Sequence, residues 1–318
     1  MIAEVNGLTL EVRGPAGAPP VLIVGPGPGF PLLHEAARVE RTLGLEAWQS
    51  AFLEQRGCGR SRRGAEAPSV AQSIADVASA ATWLATRAGT PVVAIGMSLG
   101  ASYAIAAAAR DPAPFRAIVG LGLDVDLAAA DAAAHAFVVS QAEARGDRRA
   151  LSAAAEFAPP VTTSRAFQER AKWLTEFGGM QPGARWAAMV RRTFVDLVRG
   201  YGLLGTLQAL RAMTRVQNGL LPELASFRLH EVRRLELPIA LVHGARDAVS
   251  PSDLVQRWVD GLSAPSKSLR VVEGIGHLPH VEAPEIVRAA LAEVAPPPRS
   301  ARWPRADYSD TAAASPPS

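Results

Sequence analysis

Apolar and polar positions alternate in "GLTLEVRG" (7–14), as in a strand at a sheet edge, and give way to the unbroken apolar run "PVLIVG" (20–25), which suits a strand covered on both faces. "WQSAFLEQRG" (48–57) reads as another strand, running into a glycine loop. The period then changes. In "SVAQSIADVASAATWLATRAG" (69–89), Val70, Ile74, Val77, Ala81 and Leu84 fall on one helical face, with a start near Ser69 after Pro68 and a stop at Gly89. "PVVAIGMSLG" (91–100) is a buried strand leading directly into the alanine-rich helix "SLGASYAIAAAARD" (98–111), and "FRAIVGLGLDVD" (115–126) is the next strand.

Near Leu127 this alternation stops. From there to about Arg234 the periodicity is helical, interrupted at "APP", "FGGMQPG" and "NGLLP". Sheet logic returns with the strand "LPIALVHGARD" (237–247), the helix "PSDLVQRWVDGL" (251–262), the strand "SLRVVEGIGH" (268–277) and the helix "APEIVRAALAEVA" (283–295). Strands separated by crossovers long enough for a helix predict an α/β fold, a mostly parallel central sheet flanked by helices on both faces. The expected division is a core of 1–126 and 235–295, a helical cap of 127–234, and a disordered tail of 296–318, rich in proline, serine and alanine.

Composition narrows the partners. The chain has 318 residues, 33 Lys and Arg against 30 Asp and Glu, and a net charge of +3. Its lysines are only Lys172 and Lys267, and the arginines are scattered among acids rather than gathered in one run. That pattern is a solvated surface and not a nucleic-acid face. Cys58 is the single cysteine, so no internal disulfide framework exists. No stretch is apolar for the roughly 18 residues of a membrane span, and the opening "MIAEVNGLTLEV" lacks the regions of a secretion signal. A soluble, cytoplasmic protein with a small-molecule or short-peptide substrate is expected, with no membrane partner. No metal or organic cofactor is expected, because the six histidines lack paired zinc-ligand spacing.

Three places carry candidate chemistry. Gly96-Met97-Ser98-Leu99-Gly100 is a G-x-S-x-G between a buried strand and a helix. A serine there sits on a sharp turn with its hydroxyl lifted clear at the helix N-terminus, and the N–H of Leu99 points where an oxyanion would form. Asp247 follows the strand ending at Gly244 and can hold an imidazole in its useful tautomer, with Asp253 as a rival and Asp124 and Asp126 as a second rival pair after the preceding strand. His277 follows Gly276 at the end of the last strand, with His280 its near competitor. The thiol of Cys58 among arginines is a further candidate nucleophile.

With serine, acid and histidine in this chain order, the sequence resembles the α/β-hydrolase family, over almost all of Gly7 to Val294. Within it, "EQRGCGRS" (54–61) is similar to the Asp-Gln-Arg-Gly-x-Gly-x-Ser loop of the proline iminopeptidase branch, with Cys58 at a variable position. The resemblance implies a Ser98–His277–Asp247 triad, a structural loop around Gln55, Arg56 and Gly59, and Gly27 of "GPGPGF" as the second oxyanion donor. Departures are Leu99 where the branch usually has tryptophan and Gly25 where it has histidine. An aminopeptidase would need carboxylates to receive an amine, for which Glu143, Glu156, Glu169 and Glu176 are available, though each also reads as a solvated helix residue; Trp173, Phe177, Trp186 and Phe194 either line a pocket over Ser98 or pack the cap to the sheet. Amide or peptide hydrolysis ranks first, then ester or lactone hydrolysis or acyl transfer. A hydrolase-like receptor without turnover is the alternative from another class.

Overall fold

The computed structural model describes residues 1–61 and 68–296. Its first element is a hairpin: β1 (Ile2–Val5) pairs antiparallel with β2 (Leu8–Arg13) across Asn6 and Gly7. Both turn residues have positive φ, 50° and 78°, as the favoured two-residue hairpin turns require. Sequence reading begins this strand at Gly7 and misses β1, although Asn-Gly is the hairpin signal.

The remaining strands are β3 (Pro20–Val24), β4 (Gln49–Glu54), β5 (Val92–Met97), β6 (Phe115–Leu121), β7 (Ile239–Gly244) and β8 (Lys267–Val272). They join one sheet in the order β1-β2-β4-β3-β5-β6-β7-β8, in which only the pairings of β2 with β1 and β4 are antiparallel. Period-two alternation divides each central strand between two cores. Leu22, Val24, Ala94 and Ile118 pack on one face with Ile74, Val77 and Ile105, while Val21, Ile23, Val93, Ile95 and Val119 pack on the other with Val39, Leu43, Val287 and Leu291.

The helices supplying those layers are α1 (Ala36–Leu43), α2 (Val70–Ala88) and α3 (Leu99–Arg110), and near the end of the fold α8 (Ser252–Asp260), α9 (Pro279–Glu282) and α10 (Pro284–Val294). The Ser69 hydroxyl caps α2 by accepting from Gln72 N–H, and Gly89 ends it in a left-handed conformation, matching the expected start and stop. The short α1 is an addition to the elements that the sequence pattern predicts.

Between β6 and β7 stand α4 (Leu127–Arg145), α5 (Arg148–Ala154), α6 (Ser164–Glu176) and α7 (Trp186–Leu224). Side chains of α4, α5 and α6 form a separate cluster in which Val138, Phe157, Trp173 and Leu174 meet, whereas Val216, Leu220 and Leu224 of α7 join the core on one face of the sheet. Two expected interruptions, at "APP" and "FGGMQPG", fall between helices; the third, "NGLLP", does not. Helix α7 continues through Pro222, which lies in its last turn, and breaks instead at Gly202, where φ is 71° and ψ 168°. A proline so near a helix end removes a hydrogen bond without ending a helix that stops two residues later. The expected tail lies outside the described residues from 297 onward.

Candidate active site

The turn from β5 into α3 forces Ser98 to φ 52°, a backbone that a non-glycine residue adopts only when its surroundings over-determine it. A Cβ on Gly100 would stand 2.3 Å from the Gly25 carbonyl oxygen, and one on Gly96 2.3 Å from Ala101 Cα. Both flanking glycines are therefore demanded by close backbone approach. Ser98 N–H donates to Leu121 O at 2.7 Å, fixing the turn to the neighbouring strand.

His277 and Asp247 come from the loops after β8 and β7. His277 Nε2 lies 3.0 Å from Ser98 Oγ, and its Nδ1 lies 2.7 Å from Asp247 Oδ2. Asp247 Oδ1 accepts from Val249 N–H and Ser250 N–H, both at 2.9 Å. A second histidine, which no sequence motif marks, completes its shell: His243 Nε2 is 2.6 Å from Ser250 O and 3.1 Å from Asp247 Oδ2. Because a carbonyl only accepts, that nitrogen carries the proton. Burial pushes Asp247 up, but the charge of His277 and hydrogen bonds from both histidines outweigh it and hold the carboxyl well below the usual range. Burial pulls His277 down, and the nearby Asp247 and Asp124 overcome this and raise it.

The rival acids occupy other posts. Asp126 caps α4 at Ala129 N–H and pairs with Arg228 at 2.9 Å, and Asp253 pairs with Arg257 on the exposed side of α8. Asp124 does reach the site, on the serine rather than the histidine. Its Oδ2 accepts from Ser98 Oγ at 2.8 Å, so the single hydroxyl proton has two acceptors available. Burial raises the Asp124 carboxyl, with His277 and the Ser98 hydrogen bond opposing. His280 is buried beside the site without touching Ser98 or Asp247, and burial lowers it to about 4.

The loop after β3 brings Gly27 against Leu99: a Cβ there would meet Leu99 Cδ2 at 3.0 Å. Among the described residues neither Gly27 N–H nor Leu99 N–H has a protein acceptor. Gln55 holds this loop from behind, donating to Gly25 O at 2.9 Å. Arg56 anchors Asn6 O and pairs with Asp76 at 2.7 Å. The buried Glu54, given no role by the sequence reading, accepts from Leu32 N–H at 2.6 Å, Arg60 N–H at 3.1 Å and the Tyr201 hydroxyl at 2.7 Å. Cys58 is fully buried in this loop, and burial drives its thiol far above the ordinary value. Its Sγ lies 3.6 Å from Arg56 O, inside the loop where the resemblance puts it at a variable position.

Ser98 and His277 open on a cavity of about 400 Å³, lined by Pro26, Phe30, Leu127, Phe167, Leu174 and many residues of α7. Of the expected pocket residues, Trp186 and Phe194 line it; Trp173 and Phe177 pack together in the core of the helical segment instead. None of the four glutamates does. Glu143 is exposed, Glu156 pairs with Arg165, Glu169 with Lys172, and Glu176 accepts from Trp186 N–H. The carboxylates present are Glu35, Asp124, Asp131 and Asp196, and Asp131 is paired with the buried Arg170. Burial lowers Arg170 to about 10. No group of histidine, cysteine and acidic side chains suited to a metal ion occurs among the described residues.

The loop of 177–185 also secures the site. His277 N–H donates to Met180 O at 2.7 Å, and Ala248 N–H to Gly179 O at 2.8 Å. A Cβ on Gly276 would stand 2.3 Å from Met180 O, so the glycine before the histidine admits this contact.

The fold, the serine turn and the order of the three side chains define a hydrolase-type α/β protein. Residues 17–290 match the model of the alpha/beta hydrolase family, and the chain belongs to that family. No curated protein matches the sequence. Among solved structures it is similar to a proline iminopeptidase-related protein from Thermus thermophilus, with 21% identity and a TM-score of 0.61 over 92% of this chain and 95% of that one. It is also similar to a thermophilic esterase from Thermogutta terrifontis, with 18% identity and a TM-score of 0.58 over 92% and 97%. Proline iminopeptidase of Mycobacterium smegmatis gives 18% identity and a TM-score of 0.55 over 92% and 97%. At such identities the likeness speaks for the fold alone.

Proposed function

We propose that the protein is a serine hydrolase acting on an acyl ester whose acyl portion is apolar. The observation that carries this is the hydrogen-bonded chain from Ser98 Oγ through His277 to Asp247, at 3.0 and 2.7 Å. In the reaction Ser98 Oγ attacks the acyl carbon while His277 Nε2 takes the hydroxyl proton. The carbonyl oxygen becomes an oxyanion between the N–H groups of Gly27 and Leu99, each such donor being worth ~3 kcal/mol of transition-state stabilisation. Collapse expels the alcohol, which leaves with the proton from His277. Water then attacks the acyl-enzyme, giving its proton to His277, and Ser98 recovers its own as the carboxylic acid departs.

Segment 127–234 serves in this reading as the cap over Ser98. Its apolar side chains in the cavity and the outward placement of its four glutamates favour an acyl ester over the free amine of an aminopeptidase substrate. Amide hydrolysis of the proline iminopeptidase type is the second reading, favoured by the presence of two buried acids, Asp124 and Asp131, among the residues that line the cavity.

Labelling by a fluorophosphonate, read by intact mass, tests the nucleophile: one adduct on the wild type and on Cys58→Ala, and none on Ser98→Ala. An adduct that persists without Ser98 overturns the assignment. Turnover of medium-chain acyl nitrophenyl esters against N-terminal prolyl arylamides separates the two substrate readings.

A further inference from the structure

Helix α7 exposes apolar surface to an unusual degree. Of the ten large apolar side chains most open to solvent among the described residues, six are on it: Val190, Phe194, Val195, Leu203, Leu204 and Leu207. Leu203 and Leu204, 60% and 70% exposed, directly follow the break at Gly202, so the elbow between the two arms of α7 ends in bare leucine. Leu203 and Leu207 share a helical face with Arg211, each four residues from the next. Exposed Arg199 stands just before the elbow, and exposed Arg211 and Arg215 follow it. Over α7 as a whole there are five arginines and two acids, Asp196 and Glu223; Asp196 pairs with Arg38 at 2.9 Å and stands 4.0 and 3.8 Å from Arg192 and Arg199, and Glu223 accepts from Val70 N–H. The patch is continuous with the cavity, because Val190 and Phe194 are both exposed and part of its lining.

We infer that the elbow of α7 docks the protein on the surface of an anionic lipid bilayer. Leucines at the tip enter the acyl boundary while the arginines beside them meet lipid phosphates, the arrangement by which a helix lies on a membrane without crossing it. The absence of a spanning segment excluded a membrane partner at the level of sequence, yet a surface-lying elbow needs no such length. Charge decides between the possible occupants. A second copy related by a twofold axis would set the same arginines against one another, whereas an anionic surface neutralises them.

The test is co-sedimentation of the full chain with vesicles of phosphatidylglycerol and phosphatidylcholine, and with vesicles of phosphatidylcholine alone. Binding to the anionic vesicles, weakened by salt, and little binding to the neutral ones is expected. Leu203→Ser with Leu204→Ser, and separately Arg211→Glu with Arg215→Glu, should each reduce it more than tenfold while leaving hydrolysis of a soluble short-chain ester unchanged. Wild-type protein that stays in the supernatant, or binding that both double variants retain, overturns the inference. So does a wild-type dimer in solution that the leucine variant converts to monomer, which would make the elbow an interface between copies. Ser98→Ala should bind vesicles like the wild type, so failure of the hydrolase reading would be visible separately.

Discussion

Ser98 Oγ stands 2.8 Å from Asp124 Oδ2 and 3.0 Å from His277 Nε2, between a carboxyl group and an imidazole that both can accept its proton. In the proposed mechanism the bond to His277 is the one that serves general-base catalysis, and the imidazole must be neutral to form it. Asp247 and Asp124 both raise His277, so the acid limb of kcat/KM should lie above the ordinary histidine range. Asp124→Asn removes one of these carboxyl groups and is expected to move the limb to lower pH, measured on a neutral ester. An upward shift would show that Asp124 does not act on the imidazole as a charge.

His243 is the second donor on Asp247. His243→Ala leaves both the carboxylate and the Ser250 carbonyl short of a partner in a fully buried setting, at a cost of about 1–3 kcal/mol. The expected results are a lower Tm and a reduced kcat with little change in KM, since the substrate cavity does not include this residue. A wild-type Tm would contradict the role.

Acid stability should depend on His280. Its folded value is about 4 against 6.5 in the free side chain, so as pH falls the unfolded chain takes up the proton first. Stability is then lost between about pH 6.5 and 4, reaching roughly 3 kcal/mol from this one group. His280→Phe is expected to flatten that part of the stability curve in urea titrations; an unchanged slope would assign the acid sensitivity elsewhere.

Tyr201 donates to Glu54 across 147 residues of chain, at 2.7 Å. Burial, reinforced by Glu54, raises its hydroxyl, so the phenol keeps its proton and the bond persists through alkaline pH. Tyr201→Phe should cost about 2 kcal/mol, the scale of a hydrogen bond to a charged group, and lower Tm by a few degrees. An unaltered Tm would show that water replaces the phenol.

The sheet and the three candidate catalytic positions were legible because each rests on local pattern. The residues around Ser98 and His277 need close backbone approach, and the glycines that permit it are visible as letters. Glu54 and His243 were not legible, since their partners lie on distant segments or depend on a carbonyl whose direction no motif records. For the glutamates of 127–234, helical periodicity gives a face but not which way the helix turns over the cavity, so the sequence offers them both as solvated residues and as candidates to receive an amine. Pro222 overstated a break and Gly202 understated one, because position within a helix, and not residue type alone, decides whether it bends.

The carbonyl groups of Gly179 and Met180 accept hydrogen bonds from Ala248 and His277, and so the segment that lines the cavity also sets the backbone of the loops carrying the acid and the imidazole. It is not an exchangeable module. A chimera that imports another family member's helices between β6 and β7 would inherit a new pocket together with a mispositioned imidazole, unless the backbone at 179–180 is transplanted unaltered.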